Sequence, residues 1–532
     1  VMTMSLVTVS AGAKDFTDSS KINYSEAVDV MSAVKVIDGY AEGDFRPTAT
    51  LTRGAAAKII CNLILGPTTA SALVADAAPY SDVPTNHTFA GYIAYCQKEG
   101  IISGYADGTF KPANSLTGYA FMKMLLGALG YKAEQEGYTG ANWSIQVAKR
   151  ALNIGLADDL NGEFNGVKAV NREEACLYAL NTLTADMVEY DAKTTVSTNG
   201  TTVVIAGSKA KEMVNNGNTD GKIFTKDGVM QFAEKYFDNL TVKTGSDDFS
   251  RPANVWKVKA EEIGTYTNTP DASYTKKVEV GDIYKDLGLG SKIEKKNVSV
   301  YVDGVANASQ PAYAITKGDD ANKYGDNGVL TEVFYDDDAE TVTITEINTY
   351  IDSINKTVKA TDKKDAYVVV TAEGPVPVQG FDNEFETDEK FEDDAYVLYT
   401  YSLSAKEIKS VELAKKVEGK VTVAENSDTN NNDKKALTID GTRYKAAKMI
   451  GGENLADVSV KQDYTIYVDS YGYMIYVEEN EEIGDYALIL NIKGGSDWYL
   501  GNRVELLFTD GTTKIVTTDK DYAAKKGMTK NQ

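Results

Sequence analysis

The sequence predicts an α+β multidomain protein, in which an all-α N-terminal region of helix–loop–helix repeats is followed by β-sandwich-like modules. Two observations support this fold class. The stretch 38–60 recurs without gaps at 103–125, and alternating polar and apolar runs replace the helical pattern after about residue 190. In addition, a chain of 532 residues is too long for one hydrophobic core.

The repeat is defined by identical residues 65 positions apart, which are Gly39/Gly104, Tyr40/Tyr105, Gly43/Gly108, Phe45/Phe110, Pro47/Pro112, Leu51/Leu116, Thr52/Thr117 and Lys58/Lys123. A weaker third copy follows from about residue 155, with Gly162, Phe164, Val170 and Arg172 at the matching positions. A unit of this size cannot bury its apolar face alone, so the three copies are predicted to pack into one body.

Each copy predicts a helix, a loop and a second helix. Gly39 and Gly104 are expected to end the first helices with a positive φ, a conformation that glycine adopts readily. Short polar residues before the second helices predict N-caps. These residues are Thr52, Thr117 and Asn171, the last in a capping box with Glu174.

Changes in composition and hydrophobic pattern along the sequence also predict the domain boundaries. The apolar start followed by Ala11-Gly12-Ala13 indicates the remnant of a signal peptide, with a short buried strand as the alternative. The predicted units are 1–13 (remnant), 14–75, 76–130 and 131–190 (repeats), 191–355 (β-rich with one helix near 228–240), 356–455 (β-rich) and 456–532 (β-rich, truncated).

Composition excludes several classes of function. A net charge of −23 and a pI near 4.6 argue against a nucleic-acid partner. The single histidine, His87, argues against a Ser-His-Asp triad and a multi-His zinc site. The sequence contains no run of eighteen apolar residues, so no membrane span is predicted. The three cysteines lack metal or redox spacing and are predicted to lie in the core: Cys61, Cys96 and Cys176.

The motifs together resemble the S-layer homology (SLH) domain. They are the aromatic-x-Asp tripeptides at 16–18 and 80–82, the Gly-Tyr-x-acid-Gly-x-Phe-x-Pro loop and the Thr-Arg helix start. The resemblance covers residues 14–190 in a set of three. It implies a pseudo-threefold helical trimer that anchors an exported bacterial protein non-covalently to a secondary cell-wall polysaccharide, often a pyruvylated one.

The resemblance also implies which residues bind the polysaccharide. Arg53 and Arg172, each in the first turn of a helix, would hold the anion, and Asp18 and Asp82 would accept hydrogen bonds from sugar hydroxyls. Because Gly118 stands where the second copy should have arginine, at most two of three grooves keep this cation. The loop walls would be Gly39, Tyr40, Gly104 and Tyr105.

One polar stretch resembles a calcium loop. Asp428, Asn430 and Asn432 alternate as in an EF-hand, but glycine at the sixth position and glutamate at the twelfth are missing. A flexible hairpin tip and a looser Ca²⁺ site are the two interpretations. No other cofactor is predicted.

The sequence therefore predicts a non-enzymatic cell-surface protein of the S-layer type, located in the wall, with β modules that project outward and self-assemble into a lattice. An SLH-anchored polysaccharide hydrolase is the main alternative, because paired carboxylates abound. An adhesin is the third. The wall sugar, the lattice symmetry and the contacts of the β modules are not predicted.

Overall fold

The structure is a computed structural model, and it describes most of the chain. The described residues are 16–191, 194–198, 201–205, 209–306, 310–361, 364–371, 383–387, 389–425, 435–480, 487–493, 503–508 and 511–517. The predicted signal-peptide remnant, 1–13, lies outside them. So do the three candidate calcium ligands, Asp428, Asn430 and Asn432.

The N-terminal region is helical, and each repeat contributes two helices. The first helices are α1 (Ser25–Ala33), α4 (Ala90–Lys98) and α6 (Trp143–Asn153), and the second helices are α2 (Arg53–Leu65), α5 (Gly118–Ala128) and α7 (Arg172–Thr184). A 3₁₀ turn (Ser19–Lys21) precedes α1, and the short helix α3 (Pro67–Ser71) follows α2.

The predicted N-caps are confirmed. The Thr52 side chain accepts a hydrogen bond from the Ala55 amide, and the Thr117 side chain accepts one from the Ala120 amide. Asn171 begins α7 with a full capping box. The polar residue before each second helix thus satisfies backbone donors that the helix itself leaves unpaired.

The repeats close into a ring, which confirms the pseudo-threefold arrangement. The second helix of each repeat packs against the first helix of the next: α2 against α4, α5 against α6, and α7 against α1. In front of these helices, the Leu51 amide donates to the Val170 carbonyl (2.8 Å), Leu116 to Leu51 (2.9 Å) and Val170 to Leu116 (2.9 Å). All three side chains are buried.

All three cysteines are buried, as predicted, and none of them forms a disulfide. The structure adds a contact that the sequence did not predict, because the Cys61 and Cys96 sulfurs lie 3.6 Å apart between α2 and α4. The hydrogen bond to Cys61, together with burial, raises the pKa of the Cys96 thiol, so that thiol stays protonated at neutral pH.

Beyond the repeats the chain is mainly strand. Two small pairs come first: β1 (Val188–Glu189) pairs with β4 (Lys211–Glu212), and β2 (Thr194–Thr198) pairs with β3 (Thr201–Ile205). A three-stranded meander follows, formed by β5 (Leu240–Ser246), β6 (Pro252–Val258) and β7 (Glu261–Thr267). A five-stranded sheet has the order β11-β10-β14-β13-β8, from β8 (Ala272–Tyr274), β10 (Val298–Val302), β11 (Val305–Ala306), β13 (Val329–Asp336) and β14 (Thr341–Asn348). The pair β9 (Val278–Glu279) and β12 (Lys323–Tyr324) lies beside it, with α9 (Val280–Asp286) directly after β9.

A second five-stranded sheet and a barrel follow. The sheet, in the order β17-β16-β15-β18-β19, contains β15 (Tyr350–Val358), β16 (Tyr367–Val370), β17 (Glu384–Glu386), β18 (Tyr396–Ser402) and β19 (Glu407–Leu413). The barrel closes in the order β20-β21-β22-β24-β23, from β20 (Lys415–Glu425), β21 (Ala436–Ile439), β22 (Thr442–Gly452), β23 (Asp463–Val468) and β24 (Met474–Glu479). The last sheet is β25 (Ala487–Lys493), β26 (Arg503–Phe508) and β27 (Thr513–Thr517).

The predicted α+β class, with helices first and β modules after, is confirmed, and three details differ. One module closes into a barrel where sandwich-like pairing was predicted. The helix expected near 228–240 is the shorter α8, Phe232–Tyr236. The predicted boundary after residue 355 falls inside β15, and that after 455 falls between two strands of the barrel. Polar, turn-rich segments occur within modules as well as between them, so composition did not locate these boundaries.

The first β meander is packed on the first repeat. The Glu26 carboxylate of α1 accepts hydrogen bonds from the Trp256 indole N–H (2.6 Å) and the Asn254 amide (3.2 Å) of β6. One turn later, Asp29 accepts the Tyr266 hydroxyl of β7 at 2.9 Å. Helical region and meander therefore share one hydrophobic core.

The Glu26 contact is predicted to make this joint sensitive to pH. Burial raises the pKa of the Glu26 carboxyl to about 7, and Asp159 adds to the rise, although the two hydrogen bonds oppose it. The folded-state pKa lies above the ordinary 4.5, so this contribution is fully present below pH 4.5 and is lost as pH rises through 7. Glu26→Gln keeps an acceptor oxygen and does not titrate. It should be more stable than the native chain by about 2–3 kcal/mol at pH 8, and similar to it at pH 5.

Unfolding followed by tryptophan fluorescence at the two pH values measures this difference. Glu262→Gln, an exposed change on β7, is the matched control. An equal pH dependence in the native chain and Glu26→Gln would contradict the assignment.

Candidate functional site

The Gly-Tyr loops of repeats one and two have the same backbone structure. In each loop the tyrosine amide donates to the carbonyl four residues on, from Tyr40 to Asp44 (2.8 Å) and from Tyr105 to Thr109 (2.7 Å). The repeat identities therefore reflect a shared turn, and equivalent side chains of the two loops can be compared directly.

The expectation of positive φ at Gly39 and Gly104 is wrong. Neither residue has a positive φ. The first helices end sooner, and the left-handed residues after them are Lys35 (φ 59°) and Gly100 (φ 71°). Inside each loop, positive φ occurs four residues beyond the Gly-Tyr glycine, at Gly43 and Gly108, and again at Arg46 (φ 58°) and Lys111 (φ 57°).

Gly39 and Gly104 are required for space instead. A Cβ on Gly39 would lie 2.5 Å from the Phe16 ring, and a Cβ on Gly104 would lie 2.3 Å from the Tyr80 ring. Each ring is the aromatic residue of the aromatic-x-Asp tripeptide. The tripeptide and the loop glycine, distant in sequence, thus form a single packing contact.

The aspartates of these tripeptides hold the loops in place. Asp18 accepts the Phe45 amide at 2.7 Å on one carboxylate oxygen and the Arg46 amide at 2.8 Å on the other. Asp82 accepts two bonds of 2.7 Å from Phe110 and the residue after it. The sequence comparison predicted sugar contacts for these carboxylates and did not predict this bracing. Each oxygen keeps a second lone pair.

The same bonds keep both carboxylates charged. Burial raises the pKa of Asp18 and of Asp82, but the backbone N–H donors outweigh it, and each pKa is lowered from 3.8. A carboxylate whose folded-state pKa is lowered stabilises the fold above its ordinary value. That contribution is lost as pH falls through the lowered pKa.

We call the contact between repeats three and one junction A. Here Arg172, the first residue of α7, crosses to the loop of repeat one. Its Nε donates to the Phe45 carbonyl (2.9 Å) and its Nη2 to the Asp38 carbonyl (2.7 Å). Its guanidinium carbon lies 4.8 Å from the centre of the Tyr40 ring. Arg172 and the predicted loop wall are therefore brought together.

Junction B, between repeats one and two, repeats this geometry. Arg53 Nε donates to the Phe110 carbonyl (2.8 Å) and Nη2 to the Ser103 carbonyl (3.3 Å). The guanidinium carbon lies 5.0 Å from the Tyr105 ring centre. Burial lowers the pKa of Arg53 from its ordinary value, although the arginine stays charged at neutral pH.

Junction C, between repeats two and three, is closed by aromatic packing. Gly118 occupies the arginine position, and the next residue, Tyr119, covers the loop of repeat three. A Cβ on Gly166 would lie 2.1 Å from the Tyr119 ring, and that ring also packs edge-on against Phe164. The prediction that at most two junctions keep an arginine is confirmed.

Sequence reasoning missed a second cation in each arginine-containing junction. The Arg46 guanidinium carbon lies 4.0 Å from the Tyr40 ring centre, and Lys111 Nζ lies 4.5 Å from the Tyr105 ring centre. The signal was present as Phe-Arg-Pro at 45–47 and Phe-Lys-Pro at 110–112, against Phe-Asn-Gly at 164–166. Both copies that supply a Gly-Tyr loop therefore place a basic residue beside its tyrosine.

Junctions A and B have the chemistry of an anion site beside an aromatic ring. Each arginine uses Nε and Nη2 for carbonyl contacts, and within the described residues Nη1 has no protein acceptor. The adjoining tyrosines are exposed, Tyr40 to 39% and Tyr105 to 44%. A partly exposed guanidinium with remaining N–H donors binds carboxylates well. An exposed ring supplies an apolar face for a sugar.

The described residues contain no cluster of three His, Cys, Asp or Glu side chains that could hold a metal ion. The calcium loop at Asp428, Asn430 and Asn432 lies outside the described chain and stays a prediction. In the same described part of the chain, no helix has the length and apolarity needed to cross a bilayer.

Comparison with known proteins agrees with the motif assignment. The family model described as "S-layer homology domain" matches residues 15–57 and 79–118, in repeats one and two. Among curated proteins, the surface layer protein of Brevibacillus choshinensis is 25% identical over 349 residues, which covers 57% of this chain and 30% of that protein. The cell surface protein of Thermoanaerobacter kivui is 25% identical over 265 residues, covering 45% of this chain and 34% of that protein.

An endoglucanase of Bacillus sp. is 27% identical over 188 residues, which covers 33% of this chain and 20% of the enzyme. This chain thus spans about a third, or less, of the length of these relatives. The chain carries S-layer homology domains and is related to bacterial cell-surface proteins.

The bracing role of Asp82 makes the following prediction. Asp82→Ala removes two charge-assisted hydrogen bonds. The free energy needed to open the loop 103–112 should therefore fall by about 1–2 kcal/mol, a value that allows for the partial exposure of Asp82. Hydrogen–deuterium exchange in the full chain should show the Phe110 and Lys111 amides exchanging about tenfold faster. Asp76→Ala, an exposed change just before this repeat's motif, is the control. Unchanged exchange at both amides would contradict the bracing role.

Proposed function

We propose that the SLH region anchors this protein to an anionic secondary cell-wall polysaccharide, and that the β modules form part of a surface layer. The observation that carries the proposal is the repeated geometry of junctions A and B. In both, an arginine from one repeat lies beside an exposed tyrosine of the next. A pyruvate ketal, which is a sugar-linked carboxylate, fits this pairing of charge and ring.

The arginines account for affinity better than the overall charge does. The chain carries 78 acidic residues against 55 basic ones, so its long-range field repels an anionic polymer. Binding must therefore depend on local cations whose donors are oriented in advance. The carbonyl contacts orient Arg53 and Arg172 before any ligand arrives, which lowers the entropy cost of binding.

The extent of the similarities favours a structural protein over an anchored enzyme. The endoglucanase match covers 33% of this chain, about the size of the SLH region alone. The surface layer protein match covers 57%, more than the helical repeats can account for. The part of the chain beyond the anchor is therefore also similar to a surface layer protein. The adhesin alternative has no particular observation in its favour.

The proposal predicts that Arg53→Lys combined with Arg172→Lys weakens binding by at least tenfold, because lysine keeps the charge but lacks the planar fork of donors. Lys58→Ala, on the exposed side of α2, should bind like the native chain although it loses a full charge. Pull-down of the full chain on purified sacculi measures both effects. Sacculi stripped of their secondary polymer should bind neither variant.

Circular dichroism of each variant establishes that the arginine changes leave the fold intact. Native binding by the double lysine variant, or equal losses in it and in Lys58→Ala, would overturn the arginine assignment. Equal binding to native and stripped sacculi would overturn the polysaccharide proposal.

A further inference from the structure

Two buried thiols meet where repeat one packs against repeat two. Cys61 lies on α2, the helix that begins with Arg53, and Cys96 lies on α4, the helix that precedes the loop 103–112. Their sulfurs are 3.6 Å apart, and both side chains are fully buried. The pair therefore spans the contact between the two repeats that also form junction B.

Each sulfur also reaches the main chain of the opposite helix. Cys61 Sγ lies 3.5 Å from the Tyr92 carbonyl oxygen, one turn before Cys96 on α4. Cys96 Sγ lies 3.7 Å from the Ala57 carbonyl oxygen, one turn before Cys61 on α2. A cysteine sulfur is only two bonds from its own main chain, so these contacts require the two helix backbones to run close together. Close backbones are the condition for a disulfide, whose Cα atoms lie about 4.4–6.8 Å apart.

The equivalent positions in other repeats hold larger apolar side chains. With the 65-residue offset of the repeats, Cys61 corresponds to Leu126 of α5 and Cys96 corresponds to Met31 of α1. Both of these side chains are buried. Packing at those positions is thus satisfied without sulfur–sulfur chemistry, whereas the α2–α4 contact carries on both helices the residue type that can form a covalent bond to its own kind.

We propose that Cys61 and Cys96 are an oxidation site, at which a disulfide joins repeat one to repeat two in the protein at the cell surface. The oxidant is a small-molecule or protein disulfide. One cysteine thiolate attacks a sulfur of the oxidant and releases its first thiol, and the second cysteine thiolate then resolves the mixed disulfide and releases the other. The protein thus loses two protons and two electrons, one S–S bond forms, and the oxidant is reduced to two thiols.

The surroundings decide when this exchange takes place. Disulfides persist outside the reducing cytosol, where the cell-surface relatives of this chain are found. In the folded chain neither cysteine is exposed, and thiolates, not thiols, are the attacking species. Exchange therefore occurs while α2 and α4 are apart, during folding or in a transient opening of the repeats. Once the helices have packed, the disulfide is protected from reduction in the same way.

The bond would restrain both the chain and junction B. It links residues that are 35 positions apart, and the closed loop contains α3 and the start of repeat two. A cross-link of this kind stabilises a fold mainly by restricting its unfolded chain. It also ties the helix of Arg53 to the helix that leads into the loop 103–112, so α2 and α4 cannot separate while the bond is intact.

The test starts from the reduced full chain at neutral pH, in urea just below its unfolding transition. One sample receives oxidised glutathione and the other dithiothreitol, and both return to urea-free buffer. Free thiols are then labelled with N-ethylmaleimide in denaturant and counted by intact-protein mass spectrometry. The oxidised sample should take up one label, at Cys176, and the reduced sample three. Peptide mapping should locate a Cys61–Cys96 cross-link, and the thermal midpoint of the oxidised chain should be about 5–10 °C higher.

Two variants define the pair. Cys176→Ala should still form the cross-link, and its oxidised form should take up no label. Cys61→Ala removes one partner, so its thermal midpoint should be the same in both redox conditions. Circular dichroism reports whether each variant is folded, and the labelling of Cys176→Ala decides the pairing independently of the second variant.

Three labelled thiols in the oxidised native chain would overturn the proposal. So would a cross-link that involves Cys176, or glutathione retained on the cysteines without a Cys61–Cys96 bond. An oxidised chain that unfolds at or below the midpoint of the reduced chain would show that the bond does not fit the packed helices. None of these measurements involves the wall polymer, so their result is independent of the proposed anchoring function.

Discussion

The closed ring of backbone hydrogen bonds among Leu51, Leu116 and Val170 is the constraint on which the site depends. Each of these residues donates to one neighbour and accepts from the other, so none can move without breaking a bond to both. The ring lies immediately before the second helices and fixes where each begins. The first residue of each helix therefore faces the loop of the adjacent repeat, and the arginine contacts of junctions A and B follow from that position.

The ring places the first residue of each second helix beside the neighbouring loop. This position explains why a cation is tolerated at a helix start, where the helix dipole disfavours it. Arg53 and Arg172 each donate to two carbonyl oxygens of the neighbouring loop, and these acceptors offset the unfavourable dipole. The arginine thus serves two purposes. Nε and part of Nη2 join two repeats, while the outward donors stay available. Stability and binding share one side chain, so a binding measurement needs the lysine variants and an independent check of folding.

Local signals in the sequence were enough to predict the repeats, the N-caps and the missing arginine at Gly118, because each depends on residues close together in the chain. The contacts that give these residues their roles were beyond such reasoning. The acceptors of Arg172 lie 127 and 134 residues away, and Asp18 braces a loop 27 residues on. The sequence predicted a backbone role for Gly39, because the contact with Phe16 that requires a glycine there forms only in the folded chain. The β-module boundaries failed for a related reason, since strand pairing and not composition decides where a barrel closes.

The pseudo-threefold symmetry of the repeats is also broken where the β meander packs against them. Helix α1 packs against α7 on one side and contacts β7 on the other, so junction A lies next to the attachment of the downstream modules. Asn254 and Trp256 bond to Glu26 of the same helix. Helix α8 also packs against α7 and α2, the helices that begin with Arg172 and Arg53. The attachment of the downstream region and the arginine contacts therefore involve the same three helices of the repeats, α1, α2 and α7.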